Sequence, residues 1–258
     1  MTLRTGLVAA GRSRWLLRFP PRPQARIRLL CLPGAGAAAS VFRSWFELLP
    51  PEVEVCAVQL PGRGARLREV PYTAMEPLAD ALAEAVRAEP PLPTVIFGHS
   101  LGSVVGFELA DRLARDPAHT PLSLVAAAHQ APGLGSAGLP YHLLPASELA
   151  EVMVRLGGTP REVLAKPELL RLTLPSIRAD FELDYSYRHR VRPPLAVPIS
   201  VFGGTEDRTV SVPELAAWSA HTSSAFSLRM LPGDHFFPTG PSGAEMLAQV
   251  RADLLQHV

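Results

Sequence analysis

Apolar side chains along this chain come in short runs, separated by longer stretches whose hydrophobic positions recur at helical spacing. Six runs read as buried strands: Ile27–Leu32, Val53–Gln59, Thr94–Phe97, Leu122–Ala128, Pro198–Phe202 and Phe226–Leu231. Between and after them the spacing predicts helices over Thr73–Glu89, Leu101–Arg115, Pro213–Ala220 and Ser242–His257. On the first of these, Leu78, Leu82 and Val86 fall on one face and belong to the core. Strand and helix in alternation imply the α/β class, a mostly parallel central sheet flanked by helices. No internal repeat interrupts the pattern, and Pro20, Pro21 and Pro23 mark an extended arm leading into the first strand.

Composition narrows this picture. With 258 residues, 47% of them hydrophobic, the chain can bury one large core, so residues 1–258 are expected to form a single domain. The two cysteines, Cys31 and Cys56, each sit inside an apolar run and are expected to be structural rather than disulfide-bonded. Basic and acidic residues number 25 and 24, so no global field recruits nucleic acid or an anionic membrane. Nearly every base is arginine, Lys166 being the only lysine, which reflects composition bias alongside abundant Ala, Pro and Leu. The N-terminal segment carries Arg4, Arg12, Arg14 and Arg18 without the apolar stretch of a signal peptide. No run approaches the ~18 apolar residues of a membrane span. A soluble, cytoplasmic protein is expected.

The chemistry begins where the run Thr94–Phe97 meets the helix starting near Leu101. Gly98-His99-Ser100-Leu101-Gly102 fits the pattern G-x-S-x-G of a nucleophile elbow. A serine on a sharp strand-to-helix turn takes a strained backbone conformation, and glycines two residues to either side let neighbouring backbone pass where a Cβ would clash. The turn lifts the hydroxyl above the sheet, and the helix start presents backbone N–H groups to a developing oxyanion. Such an elbow, with a strand before it and a helix after it, implies the α/β-hydrolase fold and a serine hydrolase.

In that fold the acid and the histidine follow the serine in order, each on a loop after a later strand. The loop after Pro198–Phe202 reads Gly203-Gly204-Thr205-Glu206-Asp207-Arg208, and the loop after Phe226–Leu231 reads Pro232-Gly233-Asp234-His235-Phe236-Phe237. Of eight histidines only His235 has both the order and the context: His99 lies in the elbow, His129 precedes the acid loop and His257 is terminal. Asp207 is the favoured acid, with Glu206 beside it as the alternative, and the Asp234 side chain should diverge from its histidine neighbour. Ser100, His235 and Asp207 would then work as nucleophile, base and orienting acid through an acyl-enzyme. The oxyanion donors are expected to be the backbone N–H of Leu101 and that of Ala35, in the glycine-rich turn Pro33-Gly34-Ala35-Gly36-Ala37. A phosphate cradle is disfavoured at that turn because no Gly-Lys-Ser/Thr follows. The chemistry calls for neither cofactor nor metal.

Several segments together resemble the type II thioesterases, the free-standing hydrolases that accompany polyketide and nonribosomal peptide synthases. They are Trp15 with its basic arm, Leu30 to Gly36, Gln59-Leu60-Pro61-Gly62-Arg63-Gly64, the elbow, Arg178-Ala179-Asp180-Phe181, Gly203 to Asp207 and Gly233 to Phe237. The Gln-Leu-Pro-Gly-Arg and Arg-Ala-Asp-Phe segments are the most specific of them. The resemblance implies hydrolysis of acyl groups from the phosphopantetheine arm of acyl or peptidyl carrier proteins, as editing of stalled or misprimed synthases in antibiotic biosynthesis. It also implies a helical lid, for which about 133–193 leaves room. There Leu149, Val152, Met153 and Leu156 form one apolar stripe and Leu169, Leu170, Leu172 and Leu174 a second cluster, each able to line an acyl channel or simply to dock the lid. Two positions depart from the family's usual pattern: Ala37 follows Gly36 where consecutive glycines are common, and His129-Gln130 stands where a basic pair is common.

Two other classes stand beside this reading. One is a chain-releasing thioesterase, acyltransferase or carboxylesterase on the same fold, which fold alone does not distinguish. The other is a non-catalytic carrier-binding protein, against which the complete set Ser100, Asp207 and His235 argues. A chain beginning with its own methionine is expected to be discrete rather than the terminal domain of a synthase.

Overall fold

The computed structural model describes residues 13–20, 22–135, 139–157 and 166–255. Among the described residues seven strands form one sheet: β1 (Leu16–Arg18), β2 (Ile27–Leu32), β3 (Val53–Val58), β4 (Thr94–His99), β5 (Ser123–Ala127), β6 (Ile199–Gly204) and β7 (Phe226–Leu231). Their spatial order is β1-β3-β2-β4-β5-β6-β7, all neighbours parallel except β1, which runs antiparallel to β3. The strands from β2 to β5 are almost wholly buried, which is why the sequence shows continuous apolar runs rather than alternation.

Successive side chains still divide between two cores. Leu30, Cys56, Ile96, Leu124 and Val201 face helices α2 (Met75–Arg87) and α3 (Leu101–Leu113). Leu29, Val55, Phe97, Val125 and Phe202 face α1 (Arg43–Leu48) and α7 (Gly243–Leu255). Alternation by two along each strand thus builds a three-layer sandwich. Both cysteines are free and buried. Burial raises both thiols, Cys56 to about 12, so neither is a nucleophile at neutral pH.

Some elements differ from the sequence expectation. The arm before β2 contains a three-residue edge strand, β1, tied to β3 from Leu16↔Val58 to Arg18↔Cys56. Its pairing partners are remote in sequence, so no local pattern announces it. β4 runs two residues further than its apolar run, through Gly98 and His99. The helix expected over Pro213–Ala220 is a short α-helix, α6 (Val212–Ala216), tightening into a 3-10 turn over Ala217–His221. The C-terminal helix ends at Leu255 as described, and residues 256–258 lie outside the described residues.

Between β5 and β6 the chain makes an excursion that holds α4 (Ala146–Arg155) and the 20-residue α5 (Pro167–Ser186), while residues 136–138 and 158–165 of it lie outside the described residues. The two helices meet in a small core of their own around Leu149, Met153 and Ile177. Polar contacts fasten the excursion to the sandwich. Buried Glu108 of α3 accepts hydrogen bonds from Tyr187, Arg192 and Arg112, and these outweigh the burial that would otherwise raise its carboxyl. His129, just past β5, points Nδ1 at the Gln130 carbonyl (2.8 Å) and Nε2 at Asp184 Oδ1 of α5 (3.1 Å). Both partners are acceptors, so both nitrogens are satisfied only as an imidazolium; burial opposes that charge, and Asp184 with the carbonyl outweighs it, raising the group above its ordinary value. Among the described residues no helix is long and apolar enough to cross a membrane.

Candidate active site

At the end of β4 the backbone of Ser100 adopts φ 53°, ψ −126°, a left-handed φ that a non-glycine residue takes only under constraint. The constraint is visible. Ser100 N–H donates to the Ala127 carbonyl of β5 at 2.8 Å, and the Ser103 hydroxyl donates to the carbonyls of Gly98 and Ala127 at 2.8 and 3.0 Å. A Cβ on Gly98 would stand 2.2 Å from the Gly102 oxygen, and one on Gly102 would stand 2.3 Å from the Leu32 oxygen. Both glycines of the motif are therefore required by close backbone approach. The turn feeds straight into α3, whose first-turn N–H groups, Leu101 among them, have no partner within the helix.

The loop after β2 lies against this elbow: a Cβ on Gly34 would be 3.3 Å from both Ser100 Cβ and His99 Nδ1. Gly36 N–H is committed to Asp180 Oδ2 at 2.7 Å and Ala37 N–H to the Gly34 carbonyl at 3.1 Å. Ala35 N–H has no hydrogen bond within the chain among the described residues, so of these three amides it is the one left for a ligand oxygen.

Across the cavity, His235 Nδ1 lies 3.0 Å from Asp207 Oδ2. The Asp207 side chain is fully buried, whereas Glu206 is exposed and its backbone N–H is spent on the Gly233 carbonyl. Asp234 turns away as expected, its carboxylate accepting the Phe236 N–H at 2.8 Å. Acid loop and histidine loop are packed so closely that a Cβ on Gly204 would stand 2.4 Å from the Gly233 oxygen. Burial alone would raise the Asp207 carboxyl, but hydrogen bonds from His235 and Thr209, with the attraction of the imidazole, hold it below the ordinary carboxylate value.

One participant is missing from the sequence reading. Thr209 Oγ1 donates to Asp207 Oδ1 at 2.7 Å and sits 2.8 Å from His235 Nδ1, while its N–H also reaches Asp207 Oδ1 at 2.8 Å. With its one hydroxyl proton given to Asp207, Thr209 accepts from Nδ1–H together with Asp207 Oδ2. This places the proton on Nδ1 and leaves the Nε2 lone pair free. The signal in the sequence was Asp207-Arg208-Thr209, since an Asp carboxylate commonly accepts from backbone and hydroxyl two residues on.

Ser100 and His235 line a single cavity of about 380 Å³, together with the loop Gly34–Ala37. No hydrogen bond joins Ser100 to His235 there. The opposite wall comes from the excursion, through Met153 and Leu156 of the first apolar stripe and Ile177 and Phe181 of α5. Leu149 and Val152 are buried away from the cavity, and none of Leu169, Leu170, Leu172 and Leu174 lines it, Leu169 and Leu172 being exposed.

A buried ion pair braces the excursion against the site. Arg63 grips Asp180 with both terminal nitrogens, at 2.5 and 2.7 Å, and the same carboxylate holds Gly36 N–H. The two distinctive segments of the sequence, around Arg63 and Asp180, thus meet at the loop after β2. Among the described residues no cluster of His, Cys, Asp and Glu is arranged to hold a metal ion.

Sheet order, strained serine elbow and a histidine–aspartate pair on the two following loops define an α/β-hydrolase. Residues 27–254 match the thioesterase domain family, and the chain belongs to it. Among its relatives is the gramicidin S biosynthesis protein GrsT of Aneurinibacillus migulanus, 37% identical over 225 residues that span 87% of this chain and 88% of that one. The RedJ thioesterase of the prodiginine pathway in Streptomyces coelicolor superposes with a TM-score of 0.84 at 38% identity, covering 90% of this chain and 92% of that one. The type II thioesterase BorB of the borrelidin cluster superposes at 0.82 with 35% identity, covering 91% and 96%. The protein is a type II thioesterase, a thioester hydrolase.

Proposed function

We propose that this thioesterase removes acyl groups from the phosphopantetheine arm of acyl or peptidyl carrier proteins through a Ser100 acyl-enzyme, with His235 as base and Asp207 as its orienting acid. The observation that carries the reading is the convergence in one cavity of the strained Ser100 and of His235, an imidazole whose Nδ1–H is held by Asp207 and Thr209. Ser100 Oγ attacks the thioester carbonyl as His235 Nε2 takes its proton. The oxyanion is met by the N–H groups of Leu101 and Ala35, and collapse expels the pantetheine thiol, protonated by His235. A water then gives a proton to the same nitrogen, attacks the acyl-serine and releases the carboxylic acid and free Ser100.

The excursion, within about 133–193, acts as the lid over this chamber, and residues 1–258 act as one domain. The chamber wall formed by Val41, Phe42, Met153, Leu156, Ile177 and Phe181 is uncharged and suits an acyl chain. That GrsT, RedJ and BorB come from the gramicidin S, prodiginine and borrelidin biosynthetic pathways supports the carrier-bound substrate and a role in clearing blocked carriers.

The test compares turnover of one short acyl group presented on a carrier protein, on coenzyme A and as a simple oxygen ester. The expected order of kcat/KM is carrier first, coenzyme A second and oxygen ester last. Preference for the oxygen ester would replace this reading with a carboxylesterase, and equal rates on carrier and coenzyme A would remove the carrier from it.

A further inference from the structure

His99, the variable position of the elbow motif, has no part in the mechanism above, yet it is buried against it. Its Nε2 lies 2.8 Å from the backbone carbonyl of His235. A carbonyl only accepts, so Nε2 carries the proton and Nδ1 is bare in the neutral ring. The ring stands 5.3 Å from that of His235 and 5.7 Å, edge-on, from that of Phe236. On its other side, Nδ1 faces Gly34 of the oxyanion loop so closely that an added Cβ there would stand 3.3 Å away. One side chain therefore touches three separate parts of the site: the elbow that bears it, the loop after β2 and the loop that carries the base.

We propose that His99 is a positioning residue, which fixes the height of His235 above Ser100 by donating Nε2–H to the His235 carbonyl. This rests on the reading of His235 as the base. The imidazole of His235 is held at Nδ1 by Asp207 and Thr209. Those contacts orient the ring, while the backbone before it is tied to the acid loop by Glu206 N–H donating to the Gly233 carbonyl at 2.9 Å. Gly233, second in the loop, sits at φ +120°, a conformation open chiefly to glycine. His99 adds an anchor at His235 itself, from the strand that also places the nucleophile, so nucleophile and base are measured from one rigid element.

The anchor must also stay neutral, since a second imidazolium beside His235 would oppose the charge the base acquires in the transition state. Burial, followed by the repulsion of His235, lowers His99 to about 3, against the smaller raising effects of the His235 carbonyl and Asp207. With His129 as the remaining charged neighbour, also lowering it, His99 does not titrate in the working range.

Substitutions of different reach separate this role from mere packing. The amide nitrogen of His99→Gln falls where Nε2 does and can still donate to the His235 carbonyl, whereas His99→Asn is polar but too short and His99→Leu cannot donate. Misplacement of a catalytic group by about 1 Å costs up to ~10²-fold. His99→Asn and His99→Leu are accordingly expected to lose about ten- to a hundredfold in kcat with KM little changed. His99→Gln should stay within about threefold of the wild type, and the loss in the other two should be constant between pH 6 and 9. Melting temperatures measured alongside identify any variant that fails to fold, leaving the Gln–Asn pair as the informative comparison. Equal losses in Gln and Asn, or full kcat in Asn and Leu, would overturn the proposal. His235→Ala run in parallel separates the two levels: full activity in that variant removes the base assignment itself, whereas its inactivity beside a fully active His99→Asn removes only His99.

Discussion

Replacing Ser100 by alanine is expected to lower thioester hydrolysis by at least about 10³-fold, toward the ~10⁶-fold seen when the serine of such a constellation is removed. The substitution should cost little stability, since the variant loses one hydroxyl with no hydrogen bond inside the chain and leaves the Ser100 N–H to Ala127 intact. KM for the acyl carrier should change little, because the cavity walls Met153, Leu156, Ile177 and Phe181 are untouched. Steady-state hydrolysis of an acyl carrier, with the melting curve as control, checks this; retained activity in a folded Ser100→Ala protein would dismiss the nucleophile.

The second large effect is on folding. Asp180 is 2% exposed and Arg63 5%, and their double hydrogen bond joins α5 to the loop after β3. Breaking one side of a buried pair leaves an uncompensated charge and costs ~3–5 kcal/mol. Asp180→Ala also removes the acceptor of Gly36 N–H. The variant should melt roughly 10 °C lower. The double variant Arg63→Met/Asp180→Leu should recover much of that loss, because no charge is then buried alone. Thermal and urea unfolding of the single and double variants decides it; a single variant within about 1 kcal/mol of the wild type would mean that the pair contributes no net stability.

What could be read from the sequence divides along physical lines. Strands β2 to β6 were legible because both faces of the central sheet are largely buried and their runs are mostly apolar, and the edge strand β7 because Phe226, Leu228 and Met230 alternate with Ser227 and Arg229. Helix α3 was legible because the elbow fixes its start. The elbow glycines were legible for the reason the structure gives, backbone at 2.2 and 2.3 Å from where a Cβ would be. β1 was not legible, since three residues carry no periodicity and the strand exists only through its pairing with β3. Likewise, Arg63 and Asp180 stood out as distinctive segments, but a contact across 117 positions leaves no local trace. Thr209 and His99 were each in plain view beside a recognised motif. Their roles depend on hydrogen bonds of 2.7 and 2.8 Å that only the folded loops create.

The most direct test of the central claim is covalent. A fluorophosphonate reacts with a serine only when a neighbouring base activates it and leaves a stable adduct that peptide mass mapping can locate. The expected result is one adduct per chain, on Ser100, formed more slowly in the presence of an acyl carrier and absent from His235→Ala. An adduct on another residue, or none while the protein still hydrolyses acyl carriers, would contradict it.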